Sequence, residues 1–144
     1  TLTEQEIALL HREVIDDFTQ RMQIIHKKSL YPKPILIVLD YIYDNLHTKI
    51  TLNALAEQVH LSPSHLSKLF HKEMGLTISN YIRKKRIEAA ENMLKFSDYS
   101  CAEIANYLCF SSESYFIQAF KKETGDTPKH YREKFFRRNW NIQK

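Results

Sequence analysis

Glycine and proline are scarce in this chain, two and four in 144 residues. So few turn formers argue against a sandwich or barrel of many short strands and favour helices joined by short loops. Cysteine is scarcer than a disulfide framework requires. Cys101 and Cys109 show no CxxC spacing and lie among apolar neighbours in the sequence, which predicts two buried free thiols in a reducing compartment. No apolar run approaches the ~20 residues that cross a bilayer, and no signal-peptide pattern opens the chain. A cytoplasmic protein without membrane contact is expected. HExxH, P-loop and GxSxG patterns are absent and the seven histidines show no ligand spacing, so neither an enzyme nor a metal or cofactor site is expected.

What is present is a normal core-forming fraction, 43% hydrophobic, and a net charge of +4. Residues 1–34 hold five acids and five bases, so the whole excess falls in residues 35–144. A basic excess confined to one segment fits a polyanionic partner.

The most informative stretch runs from Ser62 to Gly75. Ser62 suits an N-cap, Pro63 the first helical turn and Gly75 the left-handed stop. Leu66, Leu69 and Phe70 share one face; Ser64, Ser67, Lys68 and His71 share another that is small, polar and cationic. Such a face suits base edges in a major groove. The stretch recurs 50 residues later: Ser62, Ser64, Phe70, Lys72, Glu73, Gly75, Thr77 and Tyr81 match Ser112, Ser114, Phe120, Lys122, Glu123, Gly125, Thr127 and Tyr131. Both glycines of the chain are these two stops. Two copies are too few for a solenoid and indicate a duplicated module.

In chain order, residues 3–28 read as one amphipathic helix opened by a Thr3–Glu6 capping box. Ile7, Leu10, Val14, Phe18, Met22 and Ile25 form its apolar stripe, a candidate dimer face. The rest of the chain, a second copy or an upstream domain could cover it; Asp17 and Arg21 argue against a long coiled coil. Tyr31-Pro32-Lys33-Pro34 marks a boundary, so residues 1–34 read as a linker or dimerisation helix, or as the end of a preceding domain. Ile35 to Leu46 is a new helix. Thr51 caps a short one over Leu52–Val59, and His60 takes the left-handed position of the turn that follows. A helix from Thr77 to about Phe96 carries the run Arg83-Lys84-Lys85-Arg86, either near phosphates or on a solvated face. Ser100 and Glu103 open the second module, with Cys109-Phe110-Ser111 as its turn. The last helix passes Tyr131, Phe135 and Phe136, and Arg137-Arg138-Asn139-Trp140 reads as a solvated tail.

A short helix, a tight turn and a second capped helix is the helix-turn-helix order. The residues that carry it resemble the DNA-binding domain of the AraC/XylS family of bacterial transcription regulators. The likeness covers about residues 35–135 and rests on Ile50-Thr51-Leu52-x-x-Leu55-Ala56, Leu61-Ser62-x-Ser64-x-Leu66-Ser67-x-Leu69-Phe70 and Tyr81-Ile82-x-x-x-Arg86-Ile87-x-x-Ala90. It continues through Glu103-Ile104-Ala105, Phe110, Ser114-Tyr115-Phe116, Phe120-Lys121-Lys122 and Gly125-x-Thr127-Pro128-x-x-Tyr131-Arg132. Cys109 stands where the family usually has glycine, which predicts strain of about 1 kcal/mol at that turn.

The resemblance implies an all-α fold of seven helices. Two helix-turn-helix subdomains, 35–76 and 97–138, would be joined by a long central helix, 77–96, within one DNA-binding domain, 35–144, preceded by the N-terminal amphipathic helix. It assigns base reading to Ser64, Ser67 and Lys68 in the first module and to Glu113, Ser114, Ile117 and Gln118 in the second. Lys68 suits guanine O6 or N7, Gln118 adenine N6 and N7, and Ile117 a thymine methyl. Ser62, His71, Lys72, Lys121 and Lys122 suit phosphates. The implied function is a sequence-specific regulator of transcription, an activator that contacts RNA polymerase, with two helices in adjacent major-groove segments ~34 Å apart. A helical protein-interaction module is the rival; it accounts for the packing but not for the repeated polar faces.

Overall fold

Each helix begins and ends where a specific side chain or backbone conformation allows it. The computed structural model describes residues 4–6 and 30–142, with side chains through residue 136. The stripe Ile7, Leu10, Val14, Phe18, Met22 and Ile25 lies outside the described residues. Residues 4–6 are helical. Beyond them the described elements are seven helices: α1 Lys33–Asp44, α2 Leu52–Val59, α3 Pro63–Met74, α4 Ile78–Phe96, α5 Cys101–Tyr107, α6 Glu113–Thr124 and α7 Pro128–Ile142. The fold is all-α, as expected.

The caps follow the sequence closely. Thr51 Oγ1 accepts from the Ala54 N–H at 3.1 Å, and Thr77 Oγ1 from Asn80 at 3.1 Å. Ser100 Oγ accepts from the Glu103 N–H at 3.1 Å and donates to Glu103 Oε1 at 3.1 Å, so this box closes through the hydroxyl. α1 starts two residues ahead of Ile35, with Pro32 at its N-cap and Pro34 tolerated in its first turn. The residues expected as a solvated tail are helical through Ile142, as the end of α7; no glycine or proline after Pro128 interrupts it.

Two cores form. α1, α2 and α3 close the first around Ile35, Val38, Ile42, Leu55, Leu66 and Phe70. α5 and α6 close the second around Ile104, Leu108, Phe116 and Phe120. α4 belongs to both: Ile78 and Ile82 enter the first, Ile87, Ala90 and Leu94 the second. The duplication is visible in three dimensions. Phe70 meets Tyr81 edge-on at 5.5 Å, and Phe120 meets Tyr131 edge-on at 5.4 Å.

Two expectations need correcting. Neither cysteine is buried: both are free, Cys109 exposed and Cys101 partly so. The turn that holds Cys109 points its side chain outward, and Phe110 fills the space below. Of the run 83–86, read as lying near phosphates or on a solvated face, Lys84 is exposed and the other three are partly buried. Arg86 turns inward, donating from Nε to the Leu46 carbonyl at 3.1 Å and from Nη2 to Thr48 at 2.7 Å. Lys85 pairs with Glu88 at 3.1 Å, and Arg83 bonds Asn80 Oδ1 at 2.7 Å. Burial pulls the Arg86 guanidinium below its ordinary value, with Cys109 nearby opposing the shift.

Candidate nucleic-acid interface

The candidate reading helices are α3 and α6, and both are held by the same devices. Ser62 Oγ accepts the His65 N–H at 3.1 Å, and Ser112 Oγ accepts that of Tyr115 at 3.0 Å. Gly75, at φ 78°, donates its N–H to His71 at 2.9 Å; Gly125, at φ 89°, donates to Lys121 at 2.8 Å. Positive φ is the reason for glycine at both stops.

The turns that set each helix against its partner are left-handed at His60, φ 57°, and Cys109, φ 62°. In each, the next N–H folds back onto the short helix: Leu61 to the Ala56 carbonyl at 3.1 Å, Phe110 to Ala105 at 2.9 Å. The second turn has one residue more before its cap, Ser111.

Leu66 and Phe70 anchor α3, and Phe116 and Phe120 anchor α6; all four are fully buried. Burial of side chains this size stabilises by about 1.5–3 kcal/mol each, enough to fix which face of the helix stays outside. On the outside of α3 lie Ser64, Ser67, Lys68, His71 and Lys72, all exposed, with Ser62 at its cap. On the outside of α6 lie Glu113, Ser114, Gln118, Lys121 and Lys122, also exposed. Ile117 differs. It is half-buried against the second core, so only part of it faces outward.

The two sets are brought together within each module, not with each other; α4 carries one to the other. One residue of α6 was not among the sequence candidates. Tyr115 is exposed in its first turn, and its hydroxyl lies 3.5 Å from Arg83 Nη1 of α4. Its place in the family pattern beside Ser114 is the signal that could have added it. Among the described residues no group of three or more His, Cys, Asp or Glu side chains could hold a metal, and no helix is long and apolar enough to cross a membrane.

Two capped helices, each behind a short helix and a left-handed turn, define a tandem helix-turn-helix protein. A model described as a helix-turn-helix domain matches residues 55–134. The chain belongs to the AraC-type family of helix-turn-helix DNA-binding transcription regulators.

It is 36% identical over 97 residues to the bifunctional transcriptional activator/DNA repair enzyme AdaA of Bacillus subtilis, covering 67% of this chain and 46% of that protein. It is 33% identical over 131 residues to an uncharacterized HTH-type transcriptional regulator of Staphylococcus aureus strain MSSA476, covering 91% of this chain and 18% of that one. Among solved structures, the C-terminal domain of AraT, a response regulator from Geobacillus stearothermophilus, superposes with a TM-score of 0.68 at 29% identity, covering 72% of this chain and 86% of that one. The chain thus spans less than half the length of these curated relatives.

Proposed function

We propose that this chain is the DNA-reading part of a bacterial transcription activator that inserts α3 and α6 into adjacent major-groove segments of one duplex. The observation that carries the reading is the pairing of two outward polar faces, at matching positions of two helices, each backed by two fully buried side chains. Ser64, Ser67 and Lys68 read bases in one segment; Glu113, Ser114, Gln118 and the outer part of Ile117 read the other. Ser62, His71, Lys72, Lys121 and Lys122 hold phosphates. The unit that reads DNA spans residues 35–144, with modules 35–76 and 97–138 about the connecting helix 77–96. Activation, contact with RNA polymerase and a cytoplasmic location are part of this proposal, and the name of the AdaA relative supports activation. The stripe Ile7–Ile25 is the proposed homodimer face. No catalytic role is assigned to this chain.

Selection of bound sites from random duplexes tests the reading. Two base-specific segments about one helical turn apart are expected; binding that is weak and insensitive to salt would instead mark a protein-interaction module. Gln118→Ala should cost about 1–3 kcal/mol on the selected site and relax preference at one base pair. Lys122→Ala should weaken every sequence alike and lower the salt slope by about one. Uniform loss for Gln118→Ala, or an unchanged slope for Lys122→Ala, would contradict the assigned roles.

A further inference from the structure

The two cores are separate, and α4 runs through both. A helix such as α4 curves only gently along its length, and contacts that span the two modules add to what sets how α6 is turned relative to α3. One contact that bypasses α4 lies at residue 47. Arg86, midway along α4, bonds the carbonyls of Leu46 and Thr48, which flank His47 on both sides. The same turn is tightened by Thr48, whose N–H and Oγ1 both donate to the Asn45 carbonyl at 3.0 Å. The His47 ring then lies on the ring of Tyr107 at the end of α5, with centroids 5.8 Å apart and planes 18° apart. Both residues are exposed, so the stack is not a by-product of core burial. Neither belongs to the proposed base-reading or phosphate sets.

We propose that the turn held by Arg86 and the His47–Tyr107 stack form a brace that selects the spacing between the two half-sites. His47 and Tyr107 are then positioning residues for DNA recognition. The inference rests on the two-groove reading above. Each base pair inserted between half-sites moves the far one by ~3.4 Å and turns it by ~35° about the duplex axis. A jointed molecule follows such a change; a braced one loses affinity.

The test uses the full chain and its selected duplex, alongside duplexes with one base pair inserted or removed between the half-sites. In Tyr107→Ala and in His47→Ala, the preference for the selected spacing should fall by ~2- to 10-fold, the fold-change equivalent of one aromatic pair. The double variant should fall no further than either single one, and Tyr107→Phe, which keeps the ring, should retain the preference. Base preference within each half-site stays as in wild type, and circular dichroism melts confirm that the variants fold. A wild type that selects only one half-site would overturn both the two-groove reading and the brace. A wild type that selects two, with the variants' spacing preference unchanged, would overturn the brace alone. Equal weakening at every spacing would also overturn it, by making the ring a DNA contact.

Discussion

At Cys109 an L-residue occupies a backbone conformation that favours glycine, at φ 62°. The side chain points to solvent, so nothing in its packing compensates the strain. Cys109→Gly should therefore stabilise by about 0.5–1 kcal/mol, the strain relieved exceeding the added freedom of the unfolded chain. A rise of roughly 1–4 °C in Tm would register it. Gly125→Ala runs the other way. A Cβ there meets nothing within 4 Å, so a loss of about 1 kcal/mol comes from φ 89° and not from a clash. A cost much above that would point to contacts the backbone geometry does not include. The two inward arginines are the other single-residue lesson. Arg86 serves carbonyls at 46 and 48, and Arg132 serves those of Leu94, Ser97 and Tyr99 at 2.7–3.0 Å. Each closes a segment about forty residues upstream, and neither partner set can be inferred from neighbouring residues.

At the scale of elements, α4 behaves as two half-helices with different loyalties. Its first half carries Tyr81, whose phenol is pushed up to about 12, chiefly by burial and then by the charges of Glu88 and Tyr31. The folded state thus holds this proton more tightly than the unfolded chain, where the group titrates near 10. Stability from the neutral phenol is complete below pH 10 and is lost as pH rises toward 12, by about 2 kcal/mol. Tyr131, raised mainly by burial and next by Glu91, drifts in the same direction. Thermal melts between pH 9 and 12 should show a falling Tm, and Tyr81→Phe should flatten part of the fall. A Tm independent of pH in that window would rule out the buried neutral phenol as a contributor. Helix ends at this scale were legible in advance. Thr51, Ser62, Thr77, Ser100 and Ser112 all cap as their sequence positions indicate, because capping involves partners only three residues away.

For the whole molecule, the sharing of α4 between two cores has a consequence for dissection. Ile78 and Ile82 complete the first core, so a fragment of residues 30–76 exposes apolar surface that a fragment of residues 30–86 covers. The longer fragment also keeps Arg86 on the 46–48 turn. The longer piece should melt cooperatively and the shorter one should not, as followed by circular dichroism. Equal cooperativity would mean that the first core closes without α4. Along α4 the change from one core to the other comes between Ile82 and Ile87.

The sequence by itself determined the order of the described helices, their caps and glycine stops, the duplication and which faces of α3 and α6 stay outside. Each of these depends on residues within one or two turns: a cap, a left-handed glycine, an apolar spacing of three and four. Only the tertiary structure decided the exposed thiol of Cys109, the half-buried one of Cys101, the inward turn of Arg86, the half-buried state of Ile117 and the stack of His47 on Tyr107. Those depend on which atoms lie across the fold, up to sixty residues away in the chain. Local pattern carries no record of such distances, because they are set when two separately formed cores close on one shared helix.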